Sequence, residues 1–261
     1  MRPIPILRSI SVFILALAFG VQAGVLLVSS NESLTQKQSP VLFKVAVDKD
    51  KVRIDADGAG RYFIYRGDKD LFWIVDNQAN SYVEMSRQDL AAYSARIDSS
   101  MAKLKSEIKA MPPEQREKAE KKLKGILSAQ GGRPKTTYAK VAGANTVNGW
   151  ACLKYEGLSQ GSKRSEMWTT DPAKLGVREA DYQAIKEMGK FFGTLMRDAD
   201  TNFGFSVDRD APGGLPVKTI AFRNGSPAFK TEVKEVKQQE FAVAMFEVPA
   251  GMAKKGMGRT P

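Results

Sequence analysis

The sequence predicts an α+β fold: a strongly bent antiparallel sheet, in the form of a half-barrel, with an inserted αα-hairpin and a third helix on the concave face. Three observations predict it. Short segments with period-two apolar alternation, separated by turn residues, lie on both sides of residues 86–130. Two stretches, one from Leu90 and one from about Arg178, switch to the helical period. No internal repeat and no long linker divides the chain, so helical stripes and strands must bury one another in a single domain, with the three helices packed on the concave face of one bent sheet.

Arg2 and Arg8 precede an apolar run from Ile10 to Val21, and Val21-Gln22-Ala23 has the small-residue spacing of a signal-peptidase site. Residues 1–23 therefore read as a secretory signal, and the protein is expected to be periplasmic or secreted after cleavage near Ala23. Continued through Val28, the run reaches the length of an uncleaved anchor. Cleavage is the preferred reading, because Gln22 interrupts the run and the residues from Val25 can form a first strand.

A meander follows. Val41, Phe43, Val45 and Val47 alternate with Leu42, Lys44 and Ala46, and Val52 and Ile54 alternate with Lys51, Arg53 and Asp55. Arg61 to Arg66 and Ser81 to Met85 are the next strands on either side of Leu71 to Val75. That middle strand is apolar on both faces and so is expected to be covered on both. Leu90, Tyr93, Ile97, Met101, Leu104, Ile108 and Met111 then mark one side of a helix. Its start at Ser86-Arg87-Gln88-Asp89 has the spacing of a capping box, with Met85 placed to staple onto Leu90. Pro112-Pro113 ends it and opens a second helix to about Ala129, with Ala119, Leu123, Ile126 and Leu127 on its apolar side and Gly131-Gly132 closing the pair.

Strands resume over Thr136–Val141, Trp150–Glu156 and Lys163–Thr169. A third helix is predicted from about Arg178 to Arg197, with Tyr182, Ile185, Met188, Phe192, Leu195 and Met196 on one side. Strands at Phe203–Val207, Val217–Arg223 and Ala228–Lys237 follow, with an edge strand over Phe241–Val248. Asn148-Gly149 and Asn224-Gly225 favour tight hairpins. The domain is bounded at 24–248, with the helical insert at 86–130 and residues 249–261 as a flexible tail.

The 261 residues contain no histidine and one cysteine, which removes Ser-His-Asp and Cys-His nucleophiles, His-ligated zinc and CxxC sites. Cys152, without a partner, reads as a small buried hydrophobe. Ser100-Met101-Ala102-Lys103 has SxxK spacing, but no Ser-Asp-Asn follows and Met101 belongs to the helical stripe. Asp55 with Asp57, and Asp208 with Asp210, fit solvated loop ends better than a glycosidase pair. Neither an EF-hand loop nor a phosphate cradle is present. No enzyme, cofactor or metal is expected.

The formal net charge is +11, and its excess is uneven: ten Lys or Arg face four Glu between Met101 and Lys135. Lys103, Lys105, Lys109, Lys118, Lys121, Lys122 and Lys124 form a candidate basic surface for an anionic membrane or an acidic partner. Nucleic acid is not expected, since no nucleic-acid motif accompanies the export signal. Phe63, Tyr65, Phe72, Trp73, Trp150, Trp168, Met188, Phe191, Phe192 and Met196 are the candidates for an apolar groove, and the competing reading is that they fill a core.

Lys51-Val52-Arg53-Ile54-Asp55, Trp73-Ile74-Val75-Asp76 with Tyr82-Val83-Glu84-Met85, Gly149-Trp150-Ala151-Cys152-Leu153-Lys154-Tyr155, Glu166-Met167-Trp168 and Phe246-Glu247-Val248-Pro249-Ala250-Gly251 carry a resemblance. In this order the chain resembles the exported bacterial family catalogued as domain of unknown function 4412, which is similar in layout to periplasmic lipoprotein carriers of the LolA and LolB type. The resemblance implies a half-barrel that holds acyl chains under a helical lid, with a lipid or a lipidated protein as partner. No ligand-contacting residue carries over, and the long basic hairpin departs from the carriers' smaller lid. Two functions are expected: a soluble exported binding protein with an apolar groove under helices, or an interaction protein that docks its basic hairpin on an anionic envelope surface or acidic partner.

Overall fold

The structure is a computed structural model and describes residues 23–130, 136–195 and 212–256, with the side chains of 124–130 and 192–195 left out. The proposed signal through Gln22, the Gly131-Gly132 closure, the strand at Phe203–Val207, and Met196 lie outside the described residues.

The first residues after the proposed cleavage site enter β1 (Gly24–Ser33). The meander then runs β2 (Val41–Asp48), β3 (Lys51–Ala56), β4 (Arg61–Arg66), β5 (Leu71–Asp76) and β6 (Ser81–Ser86). Helices α1 (Arg87–Lys109) and α2 (Pro113–Gln130) form the insert. A second set of strands, β7 (Thr137–Val147), β8 (Trp150–Ser159) and β9 (Ser162–Thr170), precedes α3 (Glu179–Leu195). The chain closes with β10 (Leu215–Arg223), β11 (Ser226–Gln239) and β12 (Ala253–Lys255).

All twelve strands join one unclosed curved sheet in the order β12-β6-β5-β4-β3-β2-β1-β11-β10-β9-β8-β7. Every pairing is antiparallel except β12 with β6. The first strand thus sits between β2 and β11 and joins the two meanders. Left-handed backbone at Asn148-Gly149 (φ 48° and 84°) and Asn224-Gly225 (φ 49° and 78°) closes two of the hairpins, as the Asn-Gly pairs predict. The bend is directly visible at the first of these turns. Asn148 Nδ2 donates to the Val233 carbonyl at 2.7 Å, so the β7–β8 tip curls across the face to β11, three strands away from β8.

The alternation sorts side chains into two clusters. The concave face buries Val25, Leu27, Val45, Val47, Val52, Ile54, Tyr65, Phe72 and Met85 together with Ala184, Ile185, Met188 and Phe191 of α3. The convex face buries Ala46, Tyr62, Ile64, Trp73 and Val75 under Phe246. β5 is therefore covered on both sides, as its composition demands.

Its convex cover corrects the edge strand expected over Phe241–Val248. That segment instead makes a 3-10 turn at Val243–Phe246, which drops Phe246 onto the exposed side of β4 and β5. Burying a phenylalanine on an otherwise wet apolar face outweighs a few ladder bonds at an edge. Arg53 Nη1 donates to the Met245 carbonyl at 3.1 Å and Arg66 to that of Phe246 at 3.3 Å, fixing this strap. Within the segment expected as a tail, Ala253–Lys255 adds to β6 in parallel and Lys254 Nζ reaches Glu84 at 2.6 Å, and residues 257–261 lie outside the described residues.

The helices divide. The capping box of α1 forms, Ser86 Oγ accepting from the Asp89 amide at 3.1 Å and Asp89 from that of Ser86 at 2.9 Å, and Met85 and Leu90 are buried together. However, α3 covers most of the concave face, and α1 reaches its cluster through Leu90. α1 touches α3 and β6 and α2 lies chiefly against α1, so the inserted hairpin sits beside α3 and, of the three helices, α3 supplies most of the cover. The stripe of α1 is buried at Leu90 and Ile108 alone, while Tyr93, Ile97 and Leu104 are 44 %, 44 % and 37 % exposed. The face is already filled by α3, whose apolar stripe is the stronger one.

Candidate functional site

α3 is held to the sheet from its first turn. Asp181, buried, accepts from the Lys49 amide at 2.9 Å and from Arg178 Nε and Nη2 at 2.6 and 2.7 Å. Arg178 also reaches Asp48 at 3.5 Å, and these carboxylates, Asp181 foremost, raise its pKa. The β2–β3 turn, where Lys49 adopts φ 58°, thus receives the helix start.

An open cleft of about 610 Å³ runs along this edge of α3, lined by Lys49, Asp50, Gly67, Arg87, Arg178, Gln183 and Glu187, with Tyr65 and Ala184 beneath. Tyr65 and Ala184 are themselves members of the concave core, so the cleft has a charged rim and an apolar floor continuous with the sheet face. The rim charges answer each other. Arg87 Nε meets Asp70 at 2.5 Å and its Nη2 meets Glu187 at 3.5 Å, tying the start of α1 to the middle of α3. Burial pulls the Arg87 pKa down, but Asp70, Tyr65 and Glu187 outweigh it and the net shift is upward. Lys190, and to a smaller extent Arg87, holds the Glu187 carboxyl below its usual range. Burial pushes the Tyr65 hydroxyl up against the opposing pull of Arg87.

Seven of the groove candidates share the concave face. Tyr65, Phe72, Trp168, Met188 and Phe191 are buried in its cluster, and Phe63 and Trp150 pack against it. Phe191 meets Tyr65 edge-on and Phe72 at ring-centroid distances of 5.9 and 5.7 Å. Trp73 is the exception, a correction: it points to the convex face, its Nε1 donating to Glu84 at 2.8 Å. Phe72 and Trp73 are neighbours on one strand, and the period of two sends them to opposite faces. The side chain of Phe192, like that of Lys124, falls outside the described residues, as does Met196. A cavity of about 10 Å³ under α3, bounded by Leu27, Ser29, Val45, Ile185, Leu215, Pro216 and Val233, is the size of a single water.

The remaining candidates are dispersed. Cys152 is buried in the concave cluster, and burial raises its thiol pKa. Ser100 and Lys103 are exposed on α1. Arg53 clamps Asp55 at 2.8 and 2.9 Å, Asp57 faces Lys44 at 3.9 Å, and Asp208 and Asp210 lie outside the described residues. No group of acidic, Cys or His residues suited to a metal occurs among the described residues, and no described helix is long and apolar enough to cross a membrane. Sequence reasoning missed the rim of the cleft, because Lys49, Arg87, Arg178 and Glu187 come from four separate elements and share no motif.

The chain belongs to the family described as domain of unknown function (DUF4412), whose profile matches residues 66–252. The match contains every segment of the resemblance above except Lys51–Asp55. No curated protein matches the chain. Among solved structures it is similar to an uncharacterized conserved protein from Thermus thermophilus, at 9 % identity and a TM-score of 0.45, covering 90 % of this chain and 91 % of that one. The MucA/MucB complex of Pseudomonas aeruginosa gives 11 % identity and 0.40, covering 88 % of this chain and 57 % of that one. A LolA superfamily protein from Nitrosomonas europaea gives 8 % and 0.29, with 88 % and 91 % covered.

Proposed function

We propose that this chain is an exported, non-catalytic binding protein that receives a lipid or another hydrophobic group on the concave face of its sheet, beneath α3. The observation that carries the reading is the cleft of about 610 Å³ beside α3, whose floor at Tyr65 and Ala184 opens onto the buried apolar face. Its volume lies in the range of ligand sites. In the closed state Ile185, Met188 and Phe191 fill the face, so an occupant enters by taking their place as α3 lifts. The exposed Arg87–Glu187 tie resists this little, since ion pairs of this kind contribute about 0–1 kcal/mol. The buried Asp181 anchor stays and serves as the pivot. Each methylene that replaces a displaced side chain contributes about 0.8 kcal/mol, so affinity comes from chain length and needs no polar site.

The test is native mass spectrometry with solvent extraction of protein purified from a bacterial periplasm. A co-purified lipid released on denaturation is the expected result and gives the ligand class. A clean apo mass, with no uptake when fatty acids and phospholipids are offered, overturns the reading.

A further inference from the structure

Beyond Arg87, which lines the cleft, the α1–α2 hairpin carries two features that do not balance within the molecule. The first is apolar. Tyr93, Ile97 and Leu104 are exposed on one side of α1, with half-buried Met101 between them. They span about 16 Å of helix at about 1.5 Å per residue. α2 leaves them open although it buries Leu123.

The second is charge. On the sheet, Lys154, Lys163, Lys230, Lys234 and Lys254 each sit within an ion pair with a neighbouring carboxylate. On the hairpin, Lys103, Lys105, Lys109, Lys118, Lys121 and Lys122 are all exposed, and none forms an ion pair among the described residues. A solvated helix needs only its charges, and a buried helix needs only its apolar side. This one presents both, side by side.

From this we infer that the hairpin docks on the surface of an anionic lipid bilayer. Tyr93, Ile97 and Leu104 enter the interface, and the flanking lysines extend their methylene stems along it to reach anionic headgroups. A bilayer interface takes apolar side chains and lysine headgroups at the same time and moulds itself to the helix, whereas an acidic partner would answer the lysines and still have to cover Tyr93, Ile97 and Leu104. The inference does not rest on the groove reading, since the hairpin needs no movement of α3.

The experiment is vesicle co-sedimentation of the chain beginning at Gly24, which contains every described element and lacks the N-terminal apolar run. Vesicles of phosphatidylcholine alone are compared with vesicles that also contain phosphatidylglycerol, at low and high salt. Binding is expected only with phosphatidylglycerol and is expected to weaken as salt screens the lysines. Replacing Lys103, Lys105 and Lys109 together by Gln is expected to lower it by about a hundred-fold. The Tyr93→Ser/Ile97→Ser variant, which touches only exposed positions and so keeps the fold, is expected to lower it about ten-fold. Unaltered thermal melting of both variants checks folding. Absence of binding to phosphatidylglycerol vesicles overturns the inference. Binding that survives Tyr93→Ser/Ile97→Ser, with equal affinity for soluble polyaspartate, also overturns it and assigns the hairpin to an acidic protein.

Discussion

On β2–β6 the concave face is apolar from strand to strand, with Val45, Val52, Ile54, Phe72 and Met85 under α3, and the convex face is covered by the strap that carries Phe246. On β8–β11 the row that continues from Trp168 becomes charged. Lys154 and Lys218 lie 4.8 Å from its ring on either side, Glu166 holds Lys154 at 3.2 Å and Lys163 at 2.6 Å, and Glu232 holds Lys234 at 2.6 Å. The opposite side of β8 leaves Leu153 45 % exposed. An apolar strand has to recruit a cover from elsewhere in the chain, and a strand whose charges pair across the ladder does not. The difference also decides where a hydrophobic occupant fits, since only the first region can exchange one apolar cover for another.

The largest break in this comparison is expected from Phe72→Ala, which empties the most heavily covered strand and should lower unfolding free energy by about 3–5 kcal/mol in urea titration. Leu153→Ala on the uncovered side of β8 marks the other extreme. Asp181→Ala leaves the Arg178 guanidinium and the Lys49 amide without their acceptor. A loss of about 2–3 kcal/mol is expected, together with faster hydrogen exchange in α3 than in β8 and β9.

Acid probes the charged region. Burial opposes ionisation of Glu166, but Lys163 and Lys154 overcome it, so its folded pKa lies below the ordinary 4.5. A lowered carboxylate pKa stabilises above the unfolded value and loses that contribution as pH falls through the folded one. Glu166→Gln is therefore expected to be less stable than the parent above about pH 4.5, the gap closing on further acidification, as thermal melts across pH would record. Ser86→Ala removes the α1 cap and should cost about 1 kcal/mol by the same melts. Leu153→Ala should stay within about 0.5 kcal/mol of the parent, and a larger loss would show that β8 is covered after all.

Much of this was legible in the residues. The alternation from Val41 to Met85 placed five strands, Ser86-Arg87-Gln88-Asp89 placed the start of α1, and the two apolar faces of Leu71–Val75 required two covers. What could not be read was which segment would supply each cover. Phe241–Val248 has strand-like composition, and only the wet side of Trp73 and Ile64 turns it into a strap. The stripe of α1 looked like a buried one, because spacing reports that apolar residues share a side and not that anything lies opposite them. The groove set mixed Phe72 with Trp73, which one strand cannot point the same way. The cleft rim was invisible because its charges converge only through the bend.

The place of β1 between β2 and β11 sets the order in which the molecule can assemble. Its register with β2 closes a short loop, but its register with β11 joins Gly24 to Gln239 across almost the whole chain. The ladder at the middle of the sheet therefore forms only after the last long strand has emerged, and such distant pairings fold slowly, on the scale of about milliseconds to seconds. Until then each meander stands alone with an unprotected edge. The moment of greatest exposure to a chaperone, or to aggregation, comes just before the two halves meet.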